Sequence, residues 1–186
     1  TLTASLAYLI LRQQDAAGLV TFSNRIENVI PPRAKRDYLT QIVHALENHR
    51  PGGETNVGRI LEEIAGQIKR RGIVVLVSDL VDEPAQILKG LRLFRFKGND
   101  VIVYHILEQA ELDLPFEGNI LFEDLEAANL NVIADPRAIR QTYRQVVEEF
   151  TEHMRKECHD SSIDYQLIST STPLDRALAS YLSWRE

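Results

Sequence analysis

The sequence predicts an α/β fold with a mainly parallel, Rossmann-like sheet and helices on both faces. Three observations predict it. The runs "IVVLVSDL" (73–80) and "VIVYHIL" (101–107) are continuous and rich in branched residues, the pattern of strands buried on both faces. Strand candidates alternate with amphipathic helical stretches along the chain. The 186 residues, 44% of them hydrophobic, suffice for one domain with a sizeable core. The expectation is a single domain over 1–186 with a peripheral insertion at about 108–135.

The elements follow in order. "TLTASLAYLILRQQ" opens the chain as a helix, with Leu2, Leu6, Leu9 and Ile10 on one face. It carries no initiator Met and no leader-like pattern, so the expectation is a piece of a longer protein. "AGLVTF" (17–22) is a short apolar strand, and "RIENVI" (25–30) alternates and pairs with it through a turn. "PPR" (31–33) should end that extended segment, because proline lacks the ladder donor. Leu39, Ile42, Val43 and Leu46 space a helix over about 34–49, and Val57, Ile60, Leu61, Ile64 and Ile68 a second over about 56–71. "RRG" should close the second, with Gly72 as its cap. The strand 73–80 is expected at the centre of the sheet. A helix capped by Asp82, with Pro84 in its first turn, follows it. Residues 108–135 break the rhythm, with turn signals at Pro115, Gly118 and Asn119, and should hold short strands or a hairpin. The longest helix runs over about 136–159 with Ile139, Tyr143, Val146, Val147, Phe150 and Met154 facing inward. "DYQLIST" (164–170) is the last strand, and Thr172, Pro173 and Asp175 start a final helix that faces Leu174, Ala177, Leu178, Tyr181 and Leu182 inward.

Charge and motif content exclude several classes. The chain has 21 Lys and Arg against 27 Asp and Glu, a net charge of -6, which argues against a nucleic-acid-binding face. No run approaches the roughly 18 apolar residues needed to span a bilayer. One cysteine, Cys158, rules out an intrachain disulfide and fits a reducing, cytoplasmic setting. The chain has no Walker A motif, G-x-G-x-x-G, G-x-S-x-G or C-x-x-C. His153 and His159 are six apart, not at the spacing of a helical zinc pair, and His105 reads as a satisfied core residue.

Ligands on such sheets sit at the carboxyl ends of the strands. The residues there are Ser23–Asn24, Ser78–Asp79, Glu108 and Ser169–Thr170–Ser171. Asp79 follows the most apolar strand, where a carboxylate suits a hard divalent cation. Thr55 precedes a helix and is a good cap, worth about 1 kcal/mol. Capping alone does not require Gly52–Gly53 before it. Paired glycines mark a tight turn or a close approach, and a hydroxyl there can serve a magnesium ion.

Several segments together carry a resemblance: "SLAYLILRQQDAAGLVTFSNRIENVIPPR", "GGETNVGRIL", "VVLVSDL", "VIVYHILEQAELDLPFEGNILFEDLE" and "STSTPLDRALASYL". Nearly the whole chain resembles the bacterial von Willebrand factor A-like proteins associated with MoxR-type AAA+ ATPases. The resemblance implies a metal-ion-dependent adhesion site of three parts. A D-x-S-x-S motif follows a first central strand, a threonine lies in a Gly-rich loop, and an aspartate follows the next buried strand. Thr55 matches the second part and Asp79 the third, and no D-x-S-x-S occurs in 1–186. By that likeness the motif precedes the opening helix and the first central strand is missing here, which leaves strand edges open to self-association. The implied function is non-enzymatic: Mg2+, Mn2+ or Ca2+ held mainly by hydroxyls and waters, with the last ligand an acidic group of the ATPase or a client protein. In residues 1–186 alone the cation should be absent or weakly held. The alternative is a magnesium-dependent, haloacid-dehalogenase-like phosphatase built on "SDLVDE", with Ser23 and Lys69 at the phosphate; it needs a D-x-D motif that the chain also lacks.

Overall fold

The computed structural model describes residues 1–35, 37–49, 56–118, 120–123 and 131–177. The chain divides into two compact units, Thr1–Asn56 with Thr172–Glu186, and Val57–Ser171. In the first, helix α1 (Leu2–Arg12) precedes strands β1 (Ala17–Phe22) and β2 (Ile26–Arg33) and helix α2 (Tyr38–Glu47). Ala7, Leu11, Ala17, Tyr38 and Ile42 form its core, flanked by Ile10, Leu19, Ile30, Leu39 and Leu46. Strand β2 does not stop at the prolines, as the sequence suggested, but runs through Pro31 and Pro32. The antiparallel register shifts between Ala17 and Leu19, so Gly18 meets the prolines at a bulge, where the missing donors cost no ladder bond. A Cβ on Gly18 would lie 2.7 Å from the Ile30 carbonyl oxygen and 2.8 Å from the Pro32 nitrogen, so only glycine fits.

The second unit is built on a parallel sheet of β3 (Ile73–Ser78), β4 (Asp100–Leu107) and β7 (Asp164–Ser169), in the order β3-β4-β7. Helix α3 (Val57–Gln67) precedes β3, α4 (Pro84–Phe96) links β3 to β4, and α6 (Pro136–Asp160) lies between β4 and β7 in the chain. These helices flank the sheet, and the fold is mixed α/β of Rossmann-like type. Small residues set the approach of α3 to α4: a Cβ on Gly58 would fall 2.6 Å from Gln86 Cβ, and one on Gly90 2.6 Å from Leu61 Cβ. Arg92 of α4 reaches α6 at Glu157 (2.7 Å) and Ser161 (2.9 Å).

The sheet corrects the expectation that 73–80 is central. Among the described residues β3 pairs only with β4, and the middle strand is β4. Burial follows: Val101, Val103, Tyr104 and His105 are at most 2% exposed, while Ile73 is 46% exposed and in β3 only Leu76 is fully buried. A continuous apolar run marks a strand inside the molecule, but it does not tell middle from edge.

Three smaller differences have local causes. Helix α3 ends at Gln67, so Lys69–Gly72 lies beyond it, and the Gly72 amide bonds the Asn99 side chain at 3.1 Å. A five-residue helix, α5 (Gln109–Asp113), appears where no helix was expected, started by a capping box between Glu108 and Glu111. The long helix starts at Pro136 on an Asp135 cap, but its apolar stripe is buried only toward its end: Met154 and Cys158 are enclosed, whereas Ile139 and Val146 are exposed. The hairpin expected within 108–135 is present as β5 (Ile120–Glu123) and β6 (Asn131–Ala134), paired antiparallel from Ile120↔Ala134 to Glu123↔Asn131. Residues 174–177 open a helical turn in which Ala177 is buried; Leu178, Tyr181 and Leu182 lie outside the described residues.

Candidate functional site

The carboxyl ends of β3, β4 and β7 lie side by side, because the parallel register pairs Ser78 with His105 and Leu107 with Ser169. Each end carries polar groups in a different state of engagement.

After β3 the chain turns through Asp79, Leu80, Val81 and Asp82. Leu80 has a positive φ of 55° and a buried side chain. A leucine adopts that backbone only when its surroundings impose it. The surroundings are visible: the Leu80 amide donates to Ser78 Oγ at 3.1 Å, and the Asp82 amide to the Leu80 carbonyl at 2.9 Å. The Asp79 carbonyl lies 2.9 Å from His105 Nε2. His105 Nδ1 lies 2.6 Å from the Tyr165 hydroxyl on β7, and the Phe150 ring stands edge-on to the imidazole. Burial, the largest influence, lowers the His105 pKa, while the Asp79 carbonyl and carboxylate and the Glu111 carboxylate oppose it. His105 is thus the satisfied core residue its strand position suggested.

The two aspartates of this turn differ. Asp82 Oδ2 accepts from the Gly58 amide at 3.1 Å and Oδ1 from the Glu83 amide at 2.7 Å. It caps α3, the preceding helix, rather than the following one as the sequence suggested; α4 starts on Glu83, which makes no side-chain cap bond. Asp79 is exposed, and among the described residues its carboxylate has contacts only at the outer limit, 3.4 Å from Ser78 Oγ and 3.5 Å from the Val81 amide. Toward those residues its backbone is committed and its side chain is not. Thr55, the other expected ligand, lies outside the described residues.

At the end of β4, Glu108 is used by the capping box of α5, where its amide donates to Glu111 at 2.6 Å. At the end of β7, Ser169 Oγ bonds Gln109 Oε1 (2.9 Å) and Ser171 Oγ (2.8 Å), and Ser171 Oγ also donates to Gln109 at 3.1 Å. Gln109 had no signal in the sequence; it joins the group only because α5 forms. In the other unit, Ser23 Oγ donates to Glu27 Oε1 at 2.8 Å, and Glu27 Oε2 lies 2.7 Å from His49 Nδ1. The acid stands between hydroxyl and imidazole, so this trio lacks the order of a nucleophilic relay. The Ser23 bond, chiefly, and His49 lower the Glu27 pKa.

Among the described residues no three His, Cys, Asp or Glu side chains converge as a metal cluster, and no helix is long and apolar enough to cross a membrane. The donors at the β3 end are a carboxylate and a hydroxyl, hard oxygens of the kind Mg2+ and Ca2+ take.

No curated protein matches the chain. Two solved structures share the fold. BatB, a conserved hypothetical protein from Bacteroides thetaiotaomicron, is 12% identical with a TM-score of 0.58, over 97% of this chain and 84% of that one. An aerotolerance-related membrane protein from Bacteroides fragilis, carrying multiple mutations to serines, is 13% identical with a TM-score of 0.57, over 97% of this chain and 88% of that one. The family model described as protein of unknown function DUF58 matches residues 1–153, and the chain belongs to that family.

Proposed function

We propose that the chain is a von Willebrand factor A-like binding domain that engages an acidic group of a partner protein through a divalent cation and breaks no bond. The observation that carries this is Asp79: an exposed carboxylate on a backbone held at the carboxyl end of β3, with its own oxygens nearly uncommitted among the described residues. An aspartate kept for structure looks like its neighbour Asp82, with both oxygens spent on amides at 3.1 and 2.7 Å. A hydrated carboxylate on a held backbone can take an outside ligand without disturbing the fold.

In this reading Asp79 and Thr55 hold Mg2+, or Mn2+ or Ca2+ in its place, with Ser78 Oγ beside Asp79 at 3.4 Å. The cation supplies an electrophilic site, short of negative charge, that a partner's Asp or Glu completes. Mg2+ needs about six oxygens and gives up water reluctantly, so these side chains alone hold it weakly. The partner is a MoxR-type AAA+ ATPase or its client, and the domain is an adaptor in protein assembly or maturation in the cytoplasm. The sequence resemblance supports this partner. The reading includes self-association through the edges that β1 and β3 leave unpaired among the described residues.

Binding of the ATPase from the same genome tests the reading, with Mg2+ and with EDTA. Binding should need the cation, vanish in Asp79→Ala and survive in Asp82→Asn. Binding indifferent to both EDTA and Asp79→Ala would refute it. Mg2+-dependent hydrolysis of p-nitrophenyl phosphate that is lost in Asp79→Ala would favour the phosphatase instead.

A further inference from the structure

We infer that Tyr165 and His105 are positioning residues for Asp79, acting on it through its backbone carbonyl; this rests on the reading of Asp79 as the carboxylate of the site. The geometry permits one direction of hydrogen bonding. A carbonyl only accepts, so His105 Nε2 carries the hydrogen it gives to Asp79 at 2.9 Å. In the neutral ring Nδ1 then has a lone pair, and it accepts the Tyr165 O–H at 2.6 Å. The tyrosine hydroxyl on β7 thereby selects the tautomer that β4 presents to the end of β3. His105 is 1% exposed, so water has little access to replace either partner. Burial raises the Tyr165 pKa, so the phenol retains its proton.

The bonds converge on a single peptide group. The unit joining Asp79 to Leu80 has its carbonyl oxygen held by His105 and its N–H held by Ser78 Oγ at 3.1 Å. Clamping both edges of one planar group fixes its orientation, and so helps to set the direction in which the Asp79 side chain leaves the backbone. Leu80, which follows this peptide with a positive φ of 55°, has its own carbonyl held by the Asp82 amide at 2.9 Å. The ring faces Phe150 of α6, Tyr165 of β7 and the Asp79 carbonyl, and the carboxylates of Asp79 and Glu111 are the charged groups that act on it.

The test compares Tyr165→Phe, His105→Leu and His105→Gln in the full chain. Glutamine is the conservative variant, because its side-chain N–H can reach the Asp79 carbonyl. Without added metal, amide exchange at Leu80 and Asp82 is read against Leu91 and Phe94 of α4. Tyr165→Phe and His105→Leu should speed exchange at the turn about tenfold and leave the α4 amides unchanged, with His105→Gln close to wild type. Mn2+ broadening at the turn amides, read next, should weaken in the same order. Uniformly faster exchange, unchanged exchange, or a glutamine variant no better than leucine would overturn the inference. If exchange follows the expected pattern but Mn2+ broadens nothing even in wild type, the clamp stands and the cation reading falls.

Discussion

Replacing Asp82 by alanine should destabilise the protein, whereas replacing Asp79 three residues earlier should not. Asp82 gives one oxygen to the Gly58 amide at 3.1 Å, in the first turn of α3, and the other to the Glu83 amide at 2.7 Å. Loss of a helix cap costs about 1 kcal/mol, within a range of about 0.5–2. A carboxylate at the positive end of a helix adds about 0.3–1 kcal/mol, reduced here by partial exposure. The sum for Asp82→Ala is about 1.5–2 kcal/mol. For a chain of this length each kcal/mol shifts Tm by about 2–4 °C, so the expected loss is about 3–8 °C. Asp82→Asn keeps an acceptor and should lose only the charge contribution, about 0.3–1 kcal/mol. Asp79→Ala should stay within about 0.5 kcal/mol of wild type, since its carboxylate contacts are long and exposed. Thermal and urea unfolding followed by far-UV circular dichroism give both quantities, with an unchanged m-value as the control. An Asp82→Ala protein as stable as wild type, or an Asp79→Ala protein that loses as much, would refute the division of labour between the two carboxylates.

Gly58→Ala should cost about 1–3 kcal/mol in urea unfolding, because its Cβ would sit 2.6 Å from Gln86 Cβ. Gly66→Ala, in the same helix with open space around it, should instead stabilise by about 0.5–1 kcal/mol. Cys158 is buried and its pKa is pushed up to about 12 by burial, so a thiol reagent at pH 7 should label it only as fast as the protein opens. Labelling of the native protein at the rate of a free thiol would contradict its placement. The folded pKa of His105 is lowered below its ordinary 6.5, so the unfolded chain takes up the proton first as pH falls. Its contribution is present above about pH 6.5 and lost as pH falls from there toward the folded pKa. Urea unfolding at pH 7.5 and 5.5 should show a decline that is smaller in His105→Gln.

Much of the fold was legible because period and punctuation agreed. β1 coincides with "AGLVTF", α6 differs from its expected span by one residue, and the hairpin fell within the stretch its turn residues marked. What was not legible depends on partners distant in sequence. Nothing in "IVVLVSDL" says that its neighbour β4 occupies the middle. Pro31 and Pro32 read as a stop, yet a bulge at Gly18 on the opposite strand accommodates them. The exposed stripe at Ile139 and Val146 has the helical period of a core face, and periodicity does not report whether anything covers it. Of the site, Asp79 was found from its place after an apolar strand. The clamp that holds it was not, because Tyr165 and His105 meet only through the β4–β7 register, 60 residues apart. Asp82 was recognised as a cap but assigned to the nearer helix; the donor is Gly58, 24 residues back.

The central claim is that Asp79 serves a divalent cation, and Mn2+ broadening of backbone amide resonances tests it most directly, since paramagnetic broadening detects even millimolar binding. Titrated into the protein, Mn2+ should broaden the amides from Ser78 to Asp82 first, excess Mg2+ should reverse the effect, and Asp79→Ala should abolish it while Asp82→Asn leaves it in place. Broadening spread evenly over the acidic surface, or broadening of the Ser78–Asp82 turn that persists in Asp79→Ala, would contradict the account.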